Sequence, residues 1–178
     1  MNARAKVIGA SLMLMLVGGV DAQNSKAMLP SVAVEPNARA DQLRQDAKNH
    51  YDKVSTLRKA ASLHEKEAAA RVESDPLKFE ALDLAARLYA YSGNPAKGTL
   101  LMEQAARGAL TRGDVKRAAH AYLDAAFMAL SVRDSERVSQ LVHQADLLAL
   151  SPLLNEGEKV AIVQRINPAR GNLGAVSR

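Results

Sequence analysis

Leu82-Asp83-Leu84-Ala85-Ala86-Arg87-Leu88-Tyr89-Ala90-Tyr91-Ser92-Gly93-Asn94-Pro95 is a helix followed at once by a helix stop and a helix start. Leu82, Ala85, Ala86 and Tyr89 are spaced by three and four, which puts them on one helical face. Gly93 supplies a left-handed stop, and Asn94-Pro95 supplies a cap and a first-turn proline. Beyond the turn the pattern resumes at Gly98, Met102 and Ala105. Forty residues on, Tyr122, Ala125, Ala126, Ala129, an Arg133-Asp134 turn, Val138, Val142 and Ala145 repeat the pattern. Self-similarity at a fixed period marks a stacked array of helical hairpins, an architecture that offers an extended surface to a partner.

Working outward, the same punctuation recurs at Asp75-Pro76, Gly113-Asp114, Arg133-Asp134-Ser135-Glu136 and Ser151-Pro152. Towards the N-terminus, Leu43, Ala47, Tyr51, Val54, Leu57, Ala61, His64 or Ala68, and Val72 keep one apolar face running. The expectation is an all-α fold of six helices, at 38–73, 76–92, 95–111, 114–131, 135–149 and 153–166, with neighbours antiparallel because their connections are short. Composition agrees. Hydrophobic residues make up 48% of the 178-residue chain but aromatics only 3%, so the core must be Ala, Leu, Val and Met, poor material for strands.

The hairpins resemble the tetratricopeptide repeat. Leu82-Ala86-Tyr89 with Gly98-Met102-Ala105, and Tyr122-Ala126-Ala129 with Val138-Val142-Ala145, follow that family's placing of large and small residues. The small residues Ala86 and Ala126 leave room for the second helix of each hairpin. The period of forty exceeds the family's usual 34, which implies longer helices, and the resemblance covers residues 76–150. It implies that the leading helix completes a partial repeat, that the last helix caps the open end, and that a peptide or partner helix lies along the face made by the first helix of each pair. By position in the repeat, that groove comprises Glu80, Asp83, Arg87 and Tyr91 from one helix and His120, Leu123, Phe127 and Leu130 from the next. For Leu123, Phe127 and Leu130 a contact with the capping helices is the competing reading.

Met1 to Lys6 carries Arg4 and Lys6 and precedes an apolar run from Val7 to Val20. This has the form of a secretory signal, too short for a helix spanning a bilayer of ~20 residues. Residues 1–22 are therefore expected to be a signal peptide, cleaved after Ala22 or Ala27, with a retained anchor as the alternative. Residues 23–37, with Pro30 and Pro36, read as a flexible linker, and residues 167–178 as a frayed tail. The chain contains no cysteine, which rules out disulfides, thiolate chemistry and a lipoprotein anchor. The expected location is the periplasm or the medium.

The net charge of +5 falls to +4 without residues 1–22, and its lysines and arginines are interleaved with acids. That dispersion is ordinary for solvated helices. It leaves room for weak contact with anionic envelope surfaces but carries no basic stretch with interleaved aromatics for nucleic acid. Four histidines, at 50, 64, 120 and 143, include no i, i+4 pair. His50 and His64 stand fourteen residues apart, about 21 Å along a straight helix. His64 with Glu67 is the nearest approach to a metal nucleus, and no metal site, cofactor or catalytic group is expected. Ser131 and Ser135 sit where helices are capped rather than where nucleophiles are activated. The resulting expectation is a non-enzymatic protein or peptide-binding scaffold of the cell envelope. A periplasmic helical bundle acting as a sensor or as a ligand or metal carrier is the alternative, and self-association through the long first helix is a third reading.

Overall fold

The computed structural model describes residues 36–51 and 54–176, so the expected signal peptide and nearly all of the linker lie outside the described residues. Among those described there are seven α-helices and no strand: α1 (Pro36–Lys48), α2 (Leu57–Ala70), α3 (Pro76–Tyr91), α4 (Pro95–Thr111), α5 (Val115–Ser131), α6 (Ser135–Ala149) and α7 (Glu156–Val176). Each helix packs against the next in the chain, giving a stack of three hairpins closed by α7. No described helix is long and apolar enough to cross a membrane.

Three turns show why the chain repeats. Asn94, Asp114 and Asp134 are twenty residues apart, and each donates its backbone N–H to the carbonyl five residues back, on Tyr89, Ala109 and Ala129, at 2.8, 2.9 and 3.1 Å. The residue before each, Gly93, Gly113 or Arg133, has a positive φ of 83, 76 or 60°. This is a Schellman close, which satisfies the carbonyls left open at a helix end. The same Asn94, Asp114 or Asp134 then turns its side-chain oxygen to the N–H of Lys97, Arg117 or Arg137 and caps the next helix. One residue thus ends one helix and begins another, which fixes a tight antiparallel reversal three times over.

Small residues set how closely the helices approach. Ala85, Ala86, Ala106, Ala109, Ala125 and Ala126 are fully buried, and the bulk between them comes from Met102, Leu123, Leu141 and Val138. Gly108 is the tightest point: a Cβ there would lie 1.5 Å from the Phe79 ring, so α4 and α3 meet at this distance only because the residue has no side chain. Helices two apart in the chain are stitched by ion pairs at every step: Arg44–Glu80 for α1 and α3, Glu65–Lys97 for α2 and α4, Arg87–Asp124 for α3 and α5, Glu103–Arg137 for α4 and α6, and Asp124–Arg165 for α5 and α7. Most of these pairs are part-buried, Glu103 almost fully so, and together they fix the register of the stack from one hairpin to the next.

Three expectations from sequence are corrected. The helix expected over 38–73 is two helices, begins at Pro36, and breaks after Lys48 in a turn that Thr56 Oγ1 closes on the His50 carbonyl at 2.8 Å. The apolar face continued across the break because both helices present that face to the same core. The array therefore has a third hairpin, and the single long helix proposed for self-association is not formed. The last helix does not start at 153: Asn155 and Glu158 form a reciprocal capping box, with Glu158 N to Asn155 Oδ1 at 2.9 Å and Asn155 N to Glu158 Oε2 at 3.1 Å. Nor does it stop at Ile166. It continues through Pro168 to Val176, held by buried Ile166 and Ala169 and by Arg170 donating to Asp146 at 2.6 Å. Proline costs one helical hydrogen bond there, and burial on either side of it outweighs that cost.

Candidate functional site

The face made by α3 and α5 carries an open groove of about 340 Å³. Ala90, Tyr91 and Pro95 form one wall, and Phe127, Met128 and Ser131 the other. Tyr91 stands 74% exposed at the rim because it is the last residue of α3, two before the Gly93 stop, where the helix has run past its core contacts. Phe127 and Met128 pack partly against the core and leave their outer surfaces in the groove.

Charges close one end of the groove. Arg87 Nε donates to Asp83 Oδ1 at 2.9 Å and Nη2 to Asp124 Oδ2 at 2.6 Å, while Arg165 of α7 pairs with the other oxygen of Asp124. The Arg165 guanidinium also donates through Nη1 to His120 Nδ1 at 2.8 Å and sits 5.9 Å from the centre of the Phe127 ring. Burial raises the Asp83 carboxyl above its ordinary range even against the pull of Arg87. Burial and the adjoining Arg165 cation hold the His120 ring below the ordinary histidine value.

Of the eight residues expected to line the groove, Arg87, Tyr91 and Phe127 do so. Asp83 and His120 adjoin it in a smaller cavity of about 80 Å³ that Arg87 and Asp124 share. Glu80 lies away from it, paired with Arg44 at 3.0 Å. Leu123 is corrected: it is fully buried and belongs to the core. Leu130 is half-buried against that core and does not line the groove. Sequence reasoning missed Asp124, Met128, Pro95 and Arg165. Asp124 and Met128 were within reach, since they follow His120 by four and eight residues on the same helical face. Arg165 was not, because α7 was read only as a cap.

Of a second concentration of polar groups, sequence reasoning singled out only His64 and Glu67. Glu67 is fully buried and accepts from His64 Nδ1 at 2.7 Å, Arg44 Nε at 2.6 Å, and Arg71 Nη2 at 2.7 Å. Arg71 extends the network to Asp41 of α1 at 2.8 Å and to Asp75, the cap of α3, at 2.9 Å. Burial pushes the Glu67 carboxyl up, and the hydrogen bonds from His64, Arg44 and Arg71 outweigh it and hold it below the usual range. Tyr51 Oη hydrogen-bonds His64 Nε2, giving a Tyr-His-Glu chain. Burial and the Glu67 charge push that phenol up, the opposite of nucleophile activation, and both His64 nitrogens are engaged. The cluster is an internal tie between α1, α2 and α3.

On the opposite face, α4 and α6 enclose a polar cleft of about 360 Å³ in which Arg107 and Arg137 both pair with Glu103, so two cations share one anion. No family model matches the chain, and no curated protein or solved structure matches it.

Proposed function

We propose that the chain is a non-enzymatic binding module of tetratricopeptide-repeat-like design, exported to the cell envelope, that grips an apolar side chain of a peptide or protein partner between Tyr91 and Phe127. The observation that supports this reading most is the 74% exposure of Tyr91 beside Phe127 and Met128 in the α3–α5 groove. Large aromatic side chains at the centre of an interface carry a disproportionate share of binding energy. A volume of about 340 Å³ stands at the low end for ligand sites, enough for one or two side chains of an extended segment. The charged end is internally paired, so selection falls to the apolar part: Arg87 and Asp124 satisfy each other and set orientation.

A photoreactive amino acid at position 91, introduced in living cells, is expected to capture a discrete protein adduct. The same probe at position 107, on the opposite face, is expected not to capture it, and Phe127→Asp should abolish the adduct at 91 while leaving the helical circular dichroism intact. Equal capture from both positions, or capture that survives Phe127→Asp, overturns the reading. Export is tested by the N-terminus of the protein from cells. Gln23 or Met28 as the first residue supports cleavage, and retention of Met1 refutes it.

A further inference from the structure

The contact that joins α7 to the groove depends on an uncharged histidine. Arginine can only donate hydrogen bonds, so the 2.8 Å contact from Arg165 Nη1 makes His120 Nδ1 the acceptor and places the ring proton on Nε2. A second proton would occupy Nδ1, remove the acceptor and set two cations against each other. We propose that His120 is an acid-sensitive latch on α7: protonation of its ring repels Arg165, loosens α7 from α5 and withdraws Arg165 from Asp124 and Phe127 at the charged end of the α3–α5 groove.

Every charged group near the latch bears on it. From α5, Lys116 adds repulsion and Asp124 attraction to a charged ring. From α3, Asp83 and Arg87 share the small cavity with His120 and neutralise each other at 2.9 Å, and Arg117 of α5 lines the same space. From α7, Arg165 opposes the charge directly, and Glu158 is held 3.1 Å from Lys116. The repulsive groups and burial together leave the ring below the ordinary histidine value. The sign follows. A histidine held low when α7 is docked takes up a proton more readily when α7 is open, so docking is strongest above the free value near ~6.5 and weakens as pH falls through it. Burial alone would give the same direction without a latch. What singles out the contact is that Arg165 touches three groups at once, His120, Asp124 and the face of Phe127, so its displacement reaches the groove.

The consequence for the groove rests on the function proposed above, whereas the movement of α7 is measurable without any partner. Amide hydrogen exchange over residues 156–170 of the full chain, corrected for the intrinsic pH dependence of exchange, is the readout. Between pH 7.5 and 5.0 the opening of α7 is expected to rise roughly threefold to tenfold, while α3 and α4 stay constant. In His120→Asn the amide oxygen replaces the Nδ1 acceptor without titrating, and the profile should become flat. Arg165→Met removes the repelling cation and should shrink the pH dependence to what burial of the ring alone leaves, with α7 looser throughout. A flat profile in the unaltered protein, or an equal rise in both variants, overturns the latch. Neither result touches crosslinking at Tyr91, so failure of the latch and failure of the groove remain separable.

Discussion

The stack is closed by different chemistry at its two ends. At the α1 end the centre of the contact is a fully buried carboxylate, Glu67, held by two arginines and a histidine. At the α7 end the centre is apolar, with Ile162, Ile166 and Ala169 buried, and the charged groups stand around its margin. Removing the central anion of a buried charge network leaves its cations under-compensated in a poor solvent, whereas an apolar contact weakens in proportion to what is removed. The α1 end should therefore fail abruptly and the α7 end gradually.

The largest effect is expected from Glu67→Ala. It leaves Arg44 and Arg71 facing each other beside His64 without their shared anion, and should cost about 3–5 kcal/mol in urea unfolding. A loss below about 1 kcal/mol would mean that the network is solvated and that the contrast between the ends is false. Ile162→Ala at the other end removes a fully buried side chain and is expected to cost about 2–4 kcal/mol, with increased hydrogen exchange confined to α7.

Acid sharpens the comparison. Because the Glu67 carboxyl is held low in the folded chain, its stabilising contribution is complete above the unfolded value of about 4.3 and is lost as pH falls through the folded one. Glu67→Gln, which gives up that contribution at every pH, should show a smaller fall in melting temperature than the unaltered protein between pH 5 and pH 3. Identical falls would move the acid-sensitive carboxylate elsewhere. The His120 contact responds in the milder range below about 6.5, so the two ends should loosen in sequence, α7 first.

What could be read from the chain divides along the same line. The Asp75-Pro76, Asn94-Pro95 and Asp114 caps and the face Leu82, Ala85, Ala86 and Tyr89 were legible because each acts within one or two turns of its own helix. The break after Lys48 was hidden because Ala47, Tyr51, Val54 and Leu57 keep helical spacing across it, and only the packing of α1 back on α2 distinguishes a hairpin from a rod. In the Glu67 network the contacts that His64 and Arg71 make with Glu67 are local, while those of Arg44 and Asp41 span 23 to 36 positions, and the Arg165 contacts reach back 41 and 45 positions to Asp124 and His120. No local period announces pairings of that length. Three of the eight residues lining the groove were found because Arg87, Tyr91 and Phe127 are set by position in the repeat, and Leu123 was misplaced because a helical face is wider than the strip that a groove leaves open.

The smallest expected effect tests the repeat itself, at the turn between α5 and α6. Arg133 occupies the left-handed position that glycine fills at Gly93 and Gly113, with φ of 60° against 83 and 76°. A residue with a Cβ pays about 1 kcal/mol in that conformation, partly offset because glycine loses more freedom on folding. The N–H of Arg133 still donates to Leu130 at 3.0 Å, as Gly93 does to Ala90 and Gly113 to Leu110, so the turn keeps its hydrogen bonds despite the strain. Arg133→Gly should therefore stabilise the chain by about 0.5 kcal/mol, read as a small rise in melting temperature with α5 and α6 unchanged in helicity. A fall instead would mean that the Arg133 side chain contributes something at the surface which its backbone geometry does not reveal, and the three turns would no longer be equivalent solutions to one reversal.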